Sequence, residues 1–469
     1  MPKRKELLNV AALFLIIGWI YLNLATYNTY RFFEPEALGT VFDAQAQSFM
    51  AGRVDVDRSK VGFEYFVVDG KTQIYWGPWP AFLRIPLLLA WPQTFGLWAR
   101  LSCFVAASLA VLGWTGAVFH QLGRRHFGLS FVLVLATALG TPLVWLLSSS
   151  VVYHEPILWA MAGSAWCLFG VLKLDARPSR VAAASFGVPF FVAYLSRSTY
   201  AFPWLIVAGG CVYRVVKDGR LNAVTRRQVL AILLAPIAVA VSFHAALNYS
   251  RFGNPFSFID LKKHHLSDLR PGFLEQHGFL ELIRLPDAFK AYYLPHYANF
   301  SFHFPFVRTA RTKASKPEVL FLIPDFTIAL TVTSPWLFVF LLHALWRLRR
   351  SRPPSEWIVP ASLFMQAAVS LLLAAIVMRY LVEALPFFIA MVIWAIKDED
   401  GVPGRFHRSL GFRVVLVSLC ICSMYTSIAS AIAWSAECTE GSPVEYRKIM
   451  EGHFAEVDQR LRSYVYMMR

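Results

Sequence analysis

The stretches FDAQAQSFMAGR (Phe42 to Arg53) and GKTQIYWGPWPAFLR (Gly70 to Arg84) lie between the first apolar segment of the chain and all the others. They concentrate acid, amide and aromatic groups where a membrane protein needs only a short turn. The polar segment that contains them runs from about Arg31 to Trp91. Because long loops on a rigid scaffold commonly carry function, we predict that this segment carries the chemistry.

Apolar residues make up 57% of the 469 residues and charged residues only 16%, and long runs of the chain carry no charge. This composition is typical of polytopic membrane proteins and excludes an ordinary soluble enzyme. The net charge of +16 comes from basic residues that flank apolar runs, not from a clustered basic domain. We therefore expect no nucleic-acid partner, because membrane orientation explains the charge.

Apolar segments of about 20 residues predict roughly eleven transmembrane helices and an all-α polytopic membrane protein. The predicted spans are Leu7–Leu24, Leu101–Leu122, Leu129–Val152, Pro156–Leu172, Val181–Ser196, Ser198–Tyr213, Val229–Leu247, Phe326–Trp346, Trp357–Met378, Leu381–Ile396 and Val414–Ala436. We expect one transmembrane domain over 1–436 and a short external tail over 437–469. The first loop (27–95) and the second loop (248–325) are too long for simple turns, and Pro80, Arg84 and Pro86 predict an interfacial helix in the first.

Lysine and arginine in the short connections set the predicted orientation. They occur at the N-terminus and in every second connection, so eleven spans place all the basic connections on one side. The positive-inside rule makes that side cytoplasmic. We therefore expect a multi-pass protein of the plasma (inner) membrane, with a cytoplasmic N-terminus and an active site on the periplasmic or extracellular side.

Asp43 is the first candidate for a catalytic residue. Phe42, Ala46 and Phe49 recur at helical spacing, which predicts a short interfacial helix with Asp43 near its start. The helix dipole favours a carboxylate there, and such a carboxylate can take a proton from an acceptor hydroxyl. The alternative is a helix cap or a solvated loop acid.

The sequence YHEP (Tyr153 to Pro156) follows the third predicted span and is the second candidate. Ionisable groups at membrane depth are costly and commonly mark functional sites. We interpret His154 and Glu155 as a second acidic site, which can position the acceptor or tune Asp43. The structural alternative is a helix start, with Glu155 at the dipole and Pro156 in the first turn.

Arginines at the outer ends of apolar segments are candidates for binding a lipid-linked phosphate, because guanidinium groups match phosphate oxygens in bidentate geometry. Four arginines lie at such positions: Arg84, Arg100, Arg197 and Arg379. Arg197 and Arg379 are favoured, the latter with Tyr380 beside it. The alternative for each is snorkelling to lipid head groups. Glu383, one turn after Arg379, offers that arginine a structural ion pair instead.

Tyr75, Trp76 and Trp79 surround the turn at Gly77 and Pro78. Aromatic rings stack on sugar rings and also form the ordinary belt at a membrane interface. We therefore predict sugar or lipid contacts for these three residues.

The histidines of the second loop do not have the spacing of a recognised metal motif; they are His264, His265, His277, His296 and His303. We therefore predict no metal ligands and no obligatory cofactor. A loosely bound divalent cation remains compatible with the sequence.

The order of these features resembles the integral-membrane glycosyltransferases of the GT-C superfamily, which use polyprenyl-phosphate sugars as donors. The likeness begins with one span and a long external loop that carries an acid, an A-x-x-x-x-x-G-R stretch and a G-P-x-P-x-x-x-R element. It continues with Glu155, with RFGNP (Arg251 to Pro255) and with a late RY pair (Arg379 and Tyr380). The first loop is also similar to that of uncharacterised bacterial membrane proteins.

This resemblance implies a hexosyl- or pentosyltransferase of GT-C type. Asp43 deprotonates the acceptor hydroxyl, which attacks the anomeric carbon with inversion, and polyprenyl phosphate leaves. Phosphate binding is assigned to Arg197 and Arg379. The implied partners are membrane lipid, a polyprenyl-phosphate-sugar donor and a glycan, lipid or protein acceptor. The chain departs from the family in that Glu34 and Glu36 stand apart from Asp43, and in its short tail.

A multi-span transporter or lipid flippase without glycosyl transfer is the alternative function. Charged residues deep inside the spans would favour it, and Glu383 is one example. A catalytically inactive protein of the same fold is a further alternative, because a fold does not establish a function.

Overall fold

The computed structural model describes most of the chain, with gaps mainly in the second loop and after the last span. The described residues are 4–122, 126–256, 271–295, 299–300, 303, 305–308, 310–311, 321, 323–324, 326–351, 357–396, 409–437, 447–448, 450, 452–457 and 459. The loop histidines His264, His265 and His296 lie outside them.

Helices dominate the described residues, as the apolar runs predict. Those of the first half are α1 (Arg4–Thr26), α2 (Val41–Met50), α3 (Trp79–Ala90), α4 (Ala99–Leu122), α5 (Phe127–Leu139), α6 (Leu143–Leu147), α7 (His154–Ala176), α8 (Arg180–Ser196) and α9 (Ser198–Lys217). Those of the second half are α10 (Ala223–Phe252), α11 (Phe273–His277), α12 (Leu285–Tyr293), α13 (Leu330–Thr333), α14 (Pro335–Ser351), α15 (Ile358–Ser370), α16 (Met378–Val382), α17 (Leu385–Ile396) and α18 (Leu410–Glu437).

Within the described residues, seven helical segments are long and apolar enough to cross a membrane. They are Leu8–Thr26, Ala99–Leu122, His154–Ala176, Ser198–Lys217, Ala223–Phe252, Met378–Ile396 and Leu410–Ala436. They correspond to seven of the eleven predicted spans and confirm an all-α polytopic membrane protein. The other four predicted spans contain the shorter apolar helices α5, α8, α14 and α15. The count of eleven therefore stays a prediction.

Three predicted spans are wrong as continuous helices. The segment Phe326–Trp346 begins with the strand residues Phe326–Thr327 and then divides into α13 and α14, which are separated at Ser334. The segment Leu129–Val152 divides into α5 and α6, because Pro142 precedes α6 and cannot carry the hydrogen bonding of α5 onward. The segment Trp357–Met378 stops being helical after Ser370. Beyond it, strand β8 (Ala375–Ile376) pairs in parallel with β6 (Ile323–Pro324) of the second loop. This pairing joins residues that are far apart in sequence, so local periodicity could not reveal it.

The remaining strands are short and form three antiparallel pairs. They are β1 (Phe66–Val68) with β2 (Lys71–Gln73), β3 (Asn299–Phe300) with β4 (Val307–Arg308), and β5 (Ala310–Arg311) with β7 (Phe326–Thr327). The first pair is a hairpin whose two turn residues, Asp69 and Gly70, both have positive φ, at 50° and 74°. An Asp-Gly turn of this type matches the natural twist of two antiparallel strands.

The first loop docks on the helical bundle through α3. Helix α7 lies buried between α4 and α8, and α3 packs on α7 and α8, while α2 packs on α3. Just before α3, Gly77 approaches the end of α8 so closely that a Cβ atom there would lie 2.1 Å from the carbonyl oxygen of Leu195. Only glycine fits this contact. The two short helices predicted in the first loop are both present, and α2 is held over the start of α7.

Candidate functional site

Helix α2 presents Asp43 to the interior of the first loop. Asp43 lies in the first turn of the helix, where a carboxylate is favoured by the dipole, while Thr40 occupies the cap position. Apolar neighbours fix the helix: Phe42 packs on Trp76, and Phe49 on Phe82 of α3. Asp43 is thereby buried, not solvated.

The glycine of the A-x-x-x-x-x-G-R stretch ends this helix. Gly52 has φ of 68°, and the backbone N–H of Arg53 donates to the carbonyl oxygen of Ser48 at 2.8 Å. This is the arrangement in which a left-handed residue closes a helix, and glycine adopts it without strain. The glycine of the motif therefore has a structural role, because Gly52 ends the helix that carries Asp43.

Arg84 of α3 lies between Asp43 and Glu155. Its Nη2 donates to the two carboxylate oxygens of Glu155 at 2.7 and 2.9 Å, and its Nε lies 3.8 Å from Oδ2 of Asp43. All three side chains are buried. Three distant segments of the sequence therefore form one cluster, which we call the Asp43 cluster (Asp43, Arg84 and Glu155). It contains two carboxylates and one guanidinium group.

Asp43 is the member of the cluster whose hydrogen-bonding capacity is least satisfied. Among the described residues, neither of its carboxylate oxygens has a hydrogen-bond partner. Burial raises the pKa of Asp43 to about 7, and the charge of Glu155 adds to this rise. The charge of Arg84 opposes it most, and the backbone N–H groups of Gly96 and of Asp43 itself oppose it more weakly. A carboxylate whose pKa lies near neutral pH and whose oxygens are uncommitted is suited to accepting a proton.

His154 does not join the Asp43 cluster. Its Nδ1 lies 2.9 Å from the carbonyl oxygen of Leu146 and 2.5 Å from that of Ser149. Its ring also packs on Trp145, with the ring centres 5.0 Å apart. The side chain is thus held by the end of α6, and of the YHEP acids and bases only Glu155 is brought to Asp43.

Arg197 and Arg379, the favoured phosphate ligands, are both close to the ring of Tyr380. The guanidinium of Arg197 lies 5.8 Å from the centre of that ring and that of Arg379 5.7 Å. Arg197 also pairs with Glu383, Nη2 to Oε1 at 2.5 Å. The structural pair predicted between Arg379 and Glu383 is thus replaced by one between Arg197 and Glu383. Two cations converge on one tyrosine, which we call the Tyr380 cluster (Arg197, Arg379, Tyr380 and Glu383).

Tyr153 contacts the Tyr380 cluster and is close in sequence to the Asp43 cluster. The guanidinium of Arg379 lies 4.3 Å from the centre of its ring, and Glu155 follows two residues later in the chain. Its hydroxyl donates to Glu64, which also accepts a hydrogen bond from Tyr75 at 3.0 Å. Glu64 was not identified from the sequence, where it is one acid in an aromatic strand-like run, and only the fold reveals its burial.

The three predicted aromatic contact residues pack mainly against other aromatic side chains. Trp76 is buried against Tyr75 and Tyr153, with ring centres 4.5 and 5.9 Å away. Trp79 is partly exposed and lies 6.0 Å from the rings of Trp159 and Phe191. Their contact with a sugar or lipid stays a prediction.

A further buried carboxylate, Glu36, was noted in the sequence only as standing apart from Asp43. It accepts a hydrogen bond from Nε of Arg100 at 2.5 Å, and Nη1 of Arg100 donates to the carbonyl oxygen of Arg31 at 3.0 Å. Burial raises its pKa to about 7, against the opposing effect of Arg100. Arg100, considered a phosphate candidate from the sequence, is thus held by the first loop.

No group of three or more histidine, cysteine or acidic side chains able to hold a metal ion occurs among the described residues. Near Asp43, the position between the two carboxylates belongs to the guanidinium of Arg84. A divalent cation at that position would have to displace this arginine.

No protein-family model matches the chain, and no curated protein matches it. Among solved structures, it is similar to an oligosaccharyltransferase of Archaeoglobus fulgidus in complex with Zn and sulfate. That match has 14% identity and a TM-score of 0.49, and it covers 91% of this chain and 55% of the other. The archaeal oligosaccharyltransferase AglB of the same organism, with an inhibitory peptide and a dolichol-phosphate, matches at 13% identity and a TM-score of 0.46, over 95% and 59%.

This chain therefore spans less than three fifths of the length of the proteins it matches. The archaeal enzyme belongs to the GT-C superfamily, which the sequence pattern of this chain also resembles. With identities this low and TM-scores below 0.5, the likeness by itself decides neither the fold nor the activity.

Proposed function

We propose that the protein is a membrane glycosyltransferase of GT-C type that works at the outer face of the plasma (inner) membrane. It transfers a hexose or pentose from a polyprenyl-phosphate donor to a glycan, lipid or protein acceptor. The observation that carries this proposal is the carboxylate of Asp43, which is buried, lacks hydrogen bonds from the described residues and has a pKa of about 7. Keeping a carboxyl group in this state is costly, and such groups commonly serve catalysis.

In the proposed reaction Asp43 acts as the general base. The acceptor oxygen forms a bond to the anomeric carbon, its proton passes to Asp43, and the bond from that carbon to the phosphate oxygen breaks. Polyprenyl phosphate leaves, and the sugar inverts. Burial raises the pKa of Asp43, while Arg84 lowers it and Glu155 raises it further, so these two neighbours tune the base. Because Asp43 is enclosed, binding of the acceptor must move first-loop side chains.

The Tyr380 cluster is the proposed site for the donor phosphate. Arg197 and Arg379 bring two guanidinium groups to Tyr380, which adds a hydroxyl group, and Glu383 compensates the charge of Arg197. Bidentate pairing of guanidinium with phosphate oxygens stabilises the charge that develops on the leaving group. Tyr153 contacts Arg379 and precedes Glu155 by two residues, which supports one continuous site from donor phosphate to base.

The transporter alternative finds little support in the charged groups of the spans. Glu383, the acid that favoured it, is near the start of the span Met378–Ile396 and pairs with Arg197. It therefore belongs to the Tyr380 cluster at one end of the bundle. An assay of polyprenyl phosphate release distinguishes transport without sugar transfer from glycosyl transfer.

The test supplies polyprenyl-phosphate sugars to the purified full chain and measures release of polyprenyl phosphate. Asp43→Asn keeps the shape of the side chain and removes the base, so we expect the rate to fall by about 10²- to 10⁴-fold. Glu34→Gln, which changes a solvent-accessible acid of the same loop, is the matched control and should retain the rate within about threefold. Turnover by Asp43→Asn at the wild-type rate would remove Asp43 from catalysis. No turnover by the wild type with any donor would favour the transporter alternative.

A further inference from the structure

The RFGNP motif at the end of α10 contains a buried arginine that the proposed reaction does not use. Arg251 is only 5% exposed. Among the described residues, its Nε and Nη2 have no hydrogen-bond partner, and no carboxylate forms an ion pair with it. An enclosed guanidinium group without a counter-charge is unfavourable, because its lost hydration is not replaced.

Three other arginines are buried among the described residues, and each has the contacts expected of a structural role. Arg84 is held by Glu155, and Arg100 by Glu36. Arg284 has no exposed surface and donates to the carbonyl oxygens of four residues: His277, Gly278, Phe279 and Leu372. Each of these guanidinium groups is occupied by protein oxygens. Arg251 differs from all three, so its partner is best sought in a ligand.

The surroundings of Arg251 indicate the chemistry of that ligand. His244, Asn248 and Arg251 follow one another at intervals of four and three residues, which places them on one face of α10. The ring of His244 packs on Tyr194 of α8, with centres 5.3 Å apart. Because Tyr194 lies three residues from Arg197, this face of α10 runs toward the end of α8 that carries the Tyr380 cluster.

Aromatic side chains with exposed surface flank the same face. Phe243, next to His244, packs on Phe82 of α3 at 5.3 Å, and Phe202 of α9 packs on Tyr194 at 6.1 Å. Phe243 and Phe202 are both more than a third exposed, on helices that are apolar enough to span a membrane. An exposed apolar wall that ends at an unpaired cation suits a molecule with a hydrocarbon chain and an anionic head.

We propose that Arg251 binds the phosphate head of a lipid whose chain lies along Phe202 and Phe243. The guanidinium supplies two parallel donors to the phosphate oxygens, and the phosphate supplies the missing counter-charge. The identity of the lipid as polyprenyl phosphate rests on the proposed function. The anion site itself does not, since it follows from the unpaired guanidinium group.

The experiment measures the melting temperature of the detergent-solubilised full chain as polyprenyl phosphate is added. Arg251→Met removes the charge and keeps the length of the side chain, and Arg251→Lys keeps a charge without the bidentate geometry. Arg227→Met, an exposed arginine at the opposite end of α10, is the matched control. Phosphatidylglycerol and inorganic phosphate are added in parallel, so that the two kinds of lipid phosphate and the free anion are distinguished.

We expect polyprenyl phosphate to raise the melting temperature of the wild type and of Arg227→Met in the same way, because a ligand of the native state stabilises it. For Arg251→Met the concentration that gives this shift should rise at least about tenfold, with a smaller rise for Arg251→Lys. Without lipid, Arg251→Met should melt no lower than the wild type, because it removes an unpaired buried charge.

An unchanged lipid response in Arg251→Met would overturn the proposal, and so would a large loss of stability without lipid, which would make Arg251 a structural residue. If phosphatidylglycerol gives the same Arg251-dependent shift as polyprenyl phosphate, the lipid-phosphate site stands but is not specific for the donor. A response to inorganic phosphate alone would remove the lipid from the proposal. Each result is read from binding, so it is independent of turnover by Asp43.

Discussion

Two buried carboxylates of the first loop, Glu36 and Asp43, have the same raised pKa, about 7 in each case. Their surroundings differ. Glu36 has an arginine at 2.5 Å, and Arg100 forms its ion pair with Glu36 alone among the described acids. Asp43 shares Arg84 with Glu155. Oδ2 of Asp43 lies 3.8 Å from Nε of that arginine, whereas Oε1 of Glu155 lies 2.7 Å from its Nη2. One pair is balanced in charge, and the other cluster has a carboxylate in excess.

The comparison teaches that a raised pKa does not by itself identify a catalytic acid or base. Burial raises the pKa of both groups, but Oε1 of Glu36 accepts a hydrogen bond from Arg100, and its Oε2 accepts one from the hydroxyl of Tyr27 at 3.5 Å. The oxygens of Asp43 have no hydrogen-bond partner of good geometry among the described residues, so they can accept a substrate proton once first-loop side chains move. The combination of a near-neutral pKa and uncommitted oxygens separates the candidate site from the structural pair.

The largest expected effect comes from removing Arg84, which both carboxylates share. Arg84→Met leaves Asp43 and Glu155 buried together without a cation, and we expect a loss of about 3–5 kcal/mol in the free energy of unfolding, together with turnover. The control Arg53→Met removes an exposed loop arginine and should change stability by no more than about 0.5 kcal/mol. Thermal unfolding in detergent and polyprenyl phosphate release measure the two effects. A stable Arg84→Met enzyme would show that Arg84 does not hold the cluster.

The next effect separates the two carboxylates by stability. Glu36→Gln leaves Arg100 buried without its acid, so we expect a loss of about 3 kcal/mol or more. Asp43→Asn leaves Arg84 paired with Glu155, and at pH 8 it should be neutral or stabilising. The sign follows from the raised pKa: an acid with a raised folded pKa favours folding at low pH, and this contribution is lost as the pH rises through about 7. Equal losses for both variants in thermal unfolding would contradict the comparison.

The smallest expected effect is that of metal removal. Arg84 supplies the positive charge between Asp43 and Glu155, so dialysis against a chelator should change the rate of polyprenyl phosphate release by less than about twofold. The untreated enzyme and the enzyme re-supplied with Mg²⁺, Mn²⁺ or Zn²⁺ serve as controls. Loss of turnover that one of these ions restores would show that a cation replaces Arg84 during the reaction.

Much of the fold was predictable from local sequence patterns. Apolar runs located most of the spans, helical spacing located α2, and a short apolar run with prolines and Arg84 located α3 of the first loop. The errors occur where long-range contacts act, as at β8, which pairs with β6 of the second loop. The division of the third predicted span at Pro142 could have been predicted locally, because proline interrupts a helix. A count of apolar residues along the segment does not detect this effect.

The sequence allowed the individual residues of the candidate site to be predicted, but not which of them contact one another. Asp43, Arg84 and Glu155 were each identified from charge beside apolar segments, yet Arg84 was assigned to phosphate and the structure pairs it with carboxylates. Which acid meets which arginine depends on how α2, α3 and α7 pack. Glu64 and the unpaired state of Arg251 likewise follow from burial, which a single sequence does not specify.

The most direct test of the central claim is the pH dependence of single-turnover release of polyprenyl phosphate, compared between the wild type and Glu36→Gln. If Asp43 is the base, the rate should rise with pH through a midpoint near 7 and level off above it, because only the ionised carboxylate accepts the proton. The same midpoint should persist in Glu36→Gln. A midpoint that disappears or moves in Glu36→Gln, or a rate independent of pH between about 5 and 9, would contradict the account.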